Sequence, residues 1–151
     1  FQAAHERKSA TLRLLSNPAK VSLADHDCIF MSHHIFDEMR RYVPSGRLDP
    51  DGETPSAYID RDNTIALLAK QILEVRHLVP IAPDTLSCES YSGEDPFFIE
   101  SCDYLIVGGC RETFKTSFND ASVLGVPSLD SSNMALILDL DSGAYEEIAC
   151  S

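Results

Sequence analysis

Basic residues are scarce in this 151-residue chain: 12 lysines and arginines stand against 24 aspartates and glutamates, a net charge of −12. That balance argues against general binding to nucleic acid or to anionic membranes, which needs clustered cations. It leaves room for a local phosphate pocket made of backbone amides and one or two arginines. Long apolar runs are also missing; none approaches the roughly 20 residues needed to cross a bilayer, and no signal peptide is visible. No Asn-x-Ser/Thr acceptor occurs, because Asn17 precedes a proline and Asn63, Asn119 and Asn133 lack a hydroxyl at the right place. Cysteine is present without pattern: Cys28, Cys88, Cys102, Cys110 and Cys150 are odd in number, widely spaced and free of any C-x-x-C pair. A disulfide framework or structural zinc site is poorly supported by this, and reduced thiols in a cytoplasmic protein fit better. Three chemical signatures are absent as well: the Walker G-x-x-x-x-G-K-[ST] loop, the G-x-G-x-x-G fingerprint and the G-x-S-x-G elbow.

What remains is ordinary globular material, 44% hydrophobic and 24% charged. It suits a single α/β domain over residues 1–151, or one lobe of a larger protein. The first residue is Phe1 rather than methionine, so a fragment is expected. The organising stretch is Asp103–Leu129. Tyr104–Val107 is continuously apolar, as in a strand buried on both faces. Gly108-Gly109 then permits a tight turn. Phe114, Phe118, Ala121 and Leu124 recur at helical spacing, Gly125 suits a helix C′ position, and Pro127 follows where a helix stops. The stretch therefore predicts a strand, a Gly-Gly turn, a helix and a returning strand from Val126 to Leu129.

Elsewhere the pattern predicts a helix within Phe1–Leu15, strands at Val21–Ala24 and Cys28–Met31, and a helix after Ser32 that buries Ile35, Phe36, Met39 and Val43. Pro44–Pro55 reads as a loop. Asp60–His77 is the strongest helix, with Ile65, Leu68, Ala69, Ile72 and Val75 on one stripe. A strand at Leu78–Ile81, an acidic loop over Asp84–Glu94 and a short helix opening at Asp95-Pro96 follow. After a polar loop at Asp130–Asn133, Met134–Leu140 and Ala144–Ile148 form a hairpin about Asp141-Ser142-Gly143. Alternating strands and helices predict a Rossmann-like, three-layer α/β domain with a mainly parallel sheet and its site at the carboxyl edge of the strands.

Three groups of residues could carry chemistry. The turn Gly108, Gly109, Arg111, Thr113, Lys115 and Ser117 offers amides, hydroxyls and cations to a phosphate at a helix start. Asp25, His26, Asp27, His33, His34 and Asp37 crowd one short segment. Imidazole with carboxylate suits zinc, manganese or iron. On a helix, however, His33 and His34 point about 100° apart, so both do not readily face one ion, although His34 with Asp37 (i, i+3) or His33 with Asp37 (i, i+4) could share a face. No metal is assigned, and His33 or His34 is taken as a base. Asp84, Glu89, Glu94 and Asp95 form an acidic loop, of which one member could bond a ribose. Cys110 beside the Gly-Gly turn reads as a small buried residue rather than a nucleophile.

Ser101-Cys102-Asp103-Tyr104, Thr113-Phe114, Ser117-Phe118 and Leu124–Leu129 resemble the nucleotide-sugar-binding lobe of GT-B-type, fucosyltransferase-like glycosyltransferases. The H-x-R-x-G-D-type arginine motif of that family is absent. The resemblance implies a nucleotide or nucleotide-sugar partner, no nucleic acid or membrane partner and no cofactor. By it, Thr113, Ser117 and nearby amides would contact the diphosphate, and Asp84 or Glu89 would lie near the ribose. Two alternatives stay open: a Rossmann-like nucleotide N-glycosidase or deoxyribosyltransferase, with Glu112 as its nearest catalytic acid, and a non-catalytic sensor or scaffold lobe.

Overall fold

The computed structural model describes residues 14–43, 61–80, 93, 95 and 97–150. The loop expected over Pro44–Pro55, Asp84 and Glu89, and almost all of the helix expected over Phe1–Leu15 lie outside the described residues.

Strands β1 (Ala19–Leu23) and β2 (His26–Ser32) form an antiparallel hairpin. Its loop is Ala24-Asp25, with φ of 48° and 66°, the positive pair whose twist suits a two-residue hairpin connection. Helix α1 (His34–Met39) follows at once and buries Ile35, Phe36 and Met39, as the spacing predicts. Helix α2 (Arg61–Val75) buries Ile65, Leu68, Ala69 and Ile72 but leaves Val75 58% exposed at its end. Strand β3 (Tyr104–Cys110) runs parallel to β2, and β5 (Ala121–Pro127) runs parallel to β3. Strand β4 (Phe114–Phe118) pairs antiparallel with β5, giving the order β1-β2-β3-β5-β4. The domain is α/β, and its five-stranded sheet is mixed: the expected parallel arrangement holds for β2, β3 and β5, while both flanking strands are antiparallel.

The largest departure from expectation lies between Phe114 and Leu124. The predicted helix is a β-hairpin, β4 turning into β5 at Asn119, whose φ is 51°. Gly108 and Gly109 are strand residues of β3 rather than a strand-to-helix turn. Gly125 is mid-strand, and the Phe114 ring fills the space where a side chain on it would stand.

Alternation sorts the two faces of the sheet. Ile29, Met31, Leu105, Val107, Ala121 and Val123 face α1 and α2 and form one apolar core with them. Each such fully buried aliphatic side chain contributes about 1.5–3 kcal/mol. Phe30, Ile106, Leu124 and Val126 line the opposite face. Over that face lies a second sheet, the antiparallel hairpin of β6 (Met134–Leu138) and β7 (Tyr145–Ala149), present as expected. A short helix, α3 (Leu129–Ser132), leads into it where a polar loop was expected. The hairpin turn is tied to the main sheet through backbone carbonyls. Tyr104 donates its hydroxyl to Leu140 O at 2.6 Å and Lys115 donates to Gly143 O. His26 lies between Asp141, at 3.5 Å, and Asp103, at 3.8 Å.

Two further expectations change around the segment joining α2 to β3. Leu78 and Val79 are buried, but the predicted strand is reduced to a single bridge, His77 to Phe98. Asp95 opens no helix; its carboxylate accepts the Phe97 N–H at 2.9 Å and closes a turn. The chain thus forms a neck there. Leu78 N donates to Phe97 O and Ile99 N to Arg76 O, at 2.8 and 2.9 Å. Arg76, at φ 57°, donates its guanidinium to Ile99 O and Glu100 O and lies 5.1 Å over the Phe98 ring.

Candidate functional site at the carboxyl edge of the parallel strands

Because β2, β3 and β5 are parallel, their carboxyl ends meet on one edge. That edge carries Ser32-His33-His34, Gly108-Gly109 and Ser128. His33 is the N-cap residue of α1, and its N–H donates to Gly108 O at 3.0 Å, which continues the β2–β3 ladder by one bond. The imidazole turns back on the same carbonyl, with Nδ1 3.3 Å from Gly108 O. A carbonyl only accepts, so Nδ1 carries the hydrogen of this contact. Gly109 makes room for this: at φ +88°, a Cβ on it would stand 2.3 Å from His33 Nδ1.

Asp37 completes the group one turn along. Its Oδ2 lies 3.7 Å from His33 Nε2 and 3.8 Å from His34 Nδ1. The two rings stack at 4.1 Å between centroids, tilted by 40°. Each histidine thus meets Asp37 at a spacing that places it on a shared helix face, His33 at i, i+4 and His34 at i, i+3. His33 is 13% exposed, His34 76% and Asp37 37%. The cluster stands at one end of an open groove of about 850 Å³ between the main sheet and the β6–β7 hairpin. Apolar side chains dominate its walls: Phe30, Ile106, Leu124, Val126, Leu136 and Leu138.

The other residues expected at this site disperse. Arg111 is exposed just past the end of β3, and Thr113 directly precedes β4. Lys115 reaches the hairpin turn, and Ser117 pairs with Ser122 near the amino end of β5, at the opposite edge of the sheet. Without a helix after β3, the helix-start phosphate cradle has no framework. Asp95 belongs to the neck, where its other oxygen is 2.9 Å from His77 Nε2. The Val79 N–H donates to His77 Nδ1 at 3.2 Å, so Nε2 carries the hydrogen toward Asp95. Cys110 is a small buried residue, as expected, with its thiol toward Val107 O. Burial pushes the Cys102 thiol up to about 12, helped by the nearby Asp103 carboxylate. Cys28 is raised for the same two reasons. Sequence reading missed the groove, because its walls come from β2, β3, β5 and β6 and only alternation within each strand could have signalled them.

The sequence that builds this sheet and its carboxyl edge is matched over most of its length by a family model. The DNA polymerase alpha/epsilon B-subunit family matches residues 2–116, and the chain belongs to it. Among curated relatives, the DNA polymerase delta small subunit of Saccharomyces cerevisiae is 24% identical over 149 residues, 91% of this chain and 30% of that protein. The rice DNA polymerase delta small subunit is 25% identical over 136 residues, 86% of this chain and 28% of that protein. DNA polymerase delta subunit 2 of Drosophila melanogaster is 33% identical over 72 residues, 44% of this chain and 17% of that protein. The chain therefore spans less than a third of the length of these relatives.

Membership of this family overturns the glycosyltransferase resemblance, and with it the nucleotide-sugar ligand, the small-molecule partner and the transferase reading. The short phrases that carried the resemblance fall on or beside β3, β4 and β5, where strands of any family use the same residue types. Among the described residues, no helix is long and apolar enough to cross a membrane.

Proposed function

We propose that this chain contributes one lobe of a DNA polymerase small subunit and acts by assembly rather than by chemistry. The observation that carries the reading is the family match over residues 2–116, which runs from before β1 to the middle of β4. The charge supports a protein contact in preference to a DNA contact: at −12, the chain does not offer the cations that duplex phosphates require. The parallel core β2-β3-β5, with α1 and α2 on one face, is read as a Rossmann-like half-layer kept as framework. Membership of a DNA polymerase assembly would place it in the nucleus of organisms like the named relatives, in place of the cytoplasm expected from its thiols.

The test is co-expression of the tagged 151-residue chain with the large subunit of a DNA polymerase delta, followed by gel filtration. A stoichiometric complex that survives moderate salt is expected, together with no turnover of GDP-fucose or UDP-sugars. A folded chain that elutes alone, with and without the rest of the polymerase, would overturn the reading.

A further inference from the structure

We infer that His33, His34 and Asp37 form a binding site for one divalent transition-metal ion of the zinc class, beyond the assembly role proposed above and independent of it. One atom from each residue points to a common space, and the three lie within 4.8 Å of one another. Two of the separations, 3.7 and 3.8 Å, meet at Asp37 Oδ2. Around a tetrahedral ion with bonds of about 2.0–2.2 Å, ligand atoms stand about 3.3–3.6 Å apart. The two pairs that meet at Asp37 reach that spacing by shifts of a few tenths of an ångström, with His34 76% exposed and so open to adjustment.

The surroundings fit a ligand set. His33 Nδ1–H donates to Gly108 O, the second-sphere hydrogen bond that fixes a ligating imidazole and aims its other nitrogen at the metal. Gly109, with no Cβ, leaves the space that the ring needs. Two imidazoles and one carboxylate make an N₂O set that suits zinc or cobalt in preference to calcium or magnesium, which take oxygen ligands. A fourth position would face the groove, whose lip here is polar, with Ser16, Asn17, Ser32 and Ser128. The amino end of α1 opposes a cation only weakly, because the helix is six residues long and Asp37 in its first turn supplies compensating charge.

The experiment is titration of the intact chain with Zn²⁺ by calorimetry and with Co²⁺ by visible absorption, at neutral pH under reducing conditions. His34→Ala and Asp37→Asn are measured in parallel, with His26→Ala as a histidine outside the cluster. Circular dichroism accompanies each variant; His34 is exposed, so its substitution leaves the fold intact. Expected is one equivalent of ion, with cobalt bands of tetrahedral nitrogen and oxygen ligation. Loss of an outer-sphere partner alone typically costs 10–100-fold in affinity, so each ligand substitution should cost on the order of tenfold or more. His26→Ala should bind as the parent does. Absence of binding to the folded parent, affinity unchanged in both ligand variants, or a thiolate-to-cobalt charge-transfer band would each overturn the assignment.

Discussion

Replacing Gly125 by alanine tests the β4–β5 hairpin where its packing is tightest. A Cβ at this position would lie 2.2 Å from Phe114 Cε1, 2.4 Å from Cδ1 and 2.8 Å from Cζ, so a whole edge of the ring must move. The two residues are directly paired across the strands, and Phe114 packs against the main core. Off-rotamer displacement of a ring costs about 0.5–1.5 kcal/mol, and overpacking of a well-filled site about 1–3 kcal/mol. Gly125→Ala is therefore expected to destabilise by about 2 kcal/mol net, after the roughly 0.5–1 kcal/mol that alanine returns by restricting the unfolded chain. For a chain of this length that lowers Tm by about 4–8 °C. The discriminating measurement is a double-mutant cycle with Phe114→Ala, read by urea denaturation. Once the ring is gone, Gly125→Ala should be neutral or mildly stabilising, a coupling of about 2 kcal/mol. A cost below about 0.5 kcal/mol, or the same cost with and without the ring, would refute the stacked hairpin.

Two other outcomes follow from the same structure. Asp95 and Asp139 are each held below the ordinary 3.8, by the Phe97 and Ser142 backbone N–H groups respectively. A carboxylate with a depressed folded pKa stabilises above its unfolded value and loses that contribution as pH falls through the folded one. The Asp95→Asn, Asp139→Asn double variant should accordingly have a lower Tm than the parent from about pH 5 to 7 and converge on it below about pH 4; a gap that stays constant down through the acid limb would exclude these groups. Native alkylation at about pH 8, mapped by mass spectrometry, should modify exposed Cys150 well before Cys102, whose thiol is pushed up to about 12 by burial. Rapid native labelling of Cys102 would contradict its described environment.

The legible parts of the fold are those with one admissible period. Ile65, Leu68, Ala69 and Ile72 fit only a helix, and Tyr104–Val107 is too short and continuous to be anything but a buried strand. The C-terminal hairpin announced itself by a turn at Asp141-Ser142-Gly143 between two apolar runs. Phe114 and Phe118 misled for a physical reason: residues four apart share a face in a helix and in a strand alike. The alternation of Phe114-Lys115-Thr116-Ser117-Phe118, half-buried and exposed by turns, and the left-handed Asn119 after it carried the deciding signal. At the site, His33, His34 and Asp37 were visible as a cluster. The two spacings to Asp37 were legible too; the part played by Gly109, distant in sequence and yielding its side-chain space to the His33 imidazole, was not.

The neck between α2 and β3 has a consequence for how such chains can vary. Arg76, His77 and Leu78 bond directly to Phe97, Phe98 and Ile99, so two stretches about 20 residues apart in sequence are pinned together at one point. Closing a loop whose ends are already pinned costs only about 0.6 kcal/mol for each doubling of its length. A longer connection between these two pinned sides should therefore add little entropic cost to the fold.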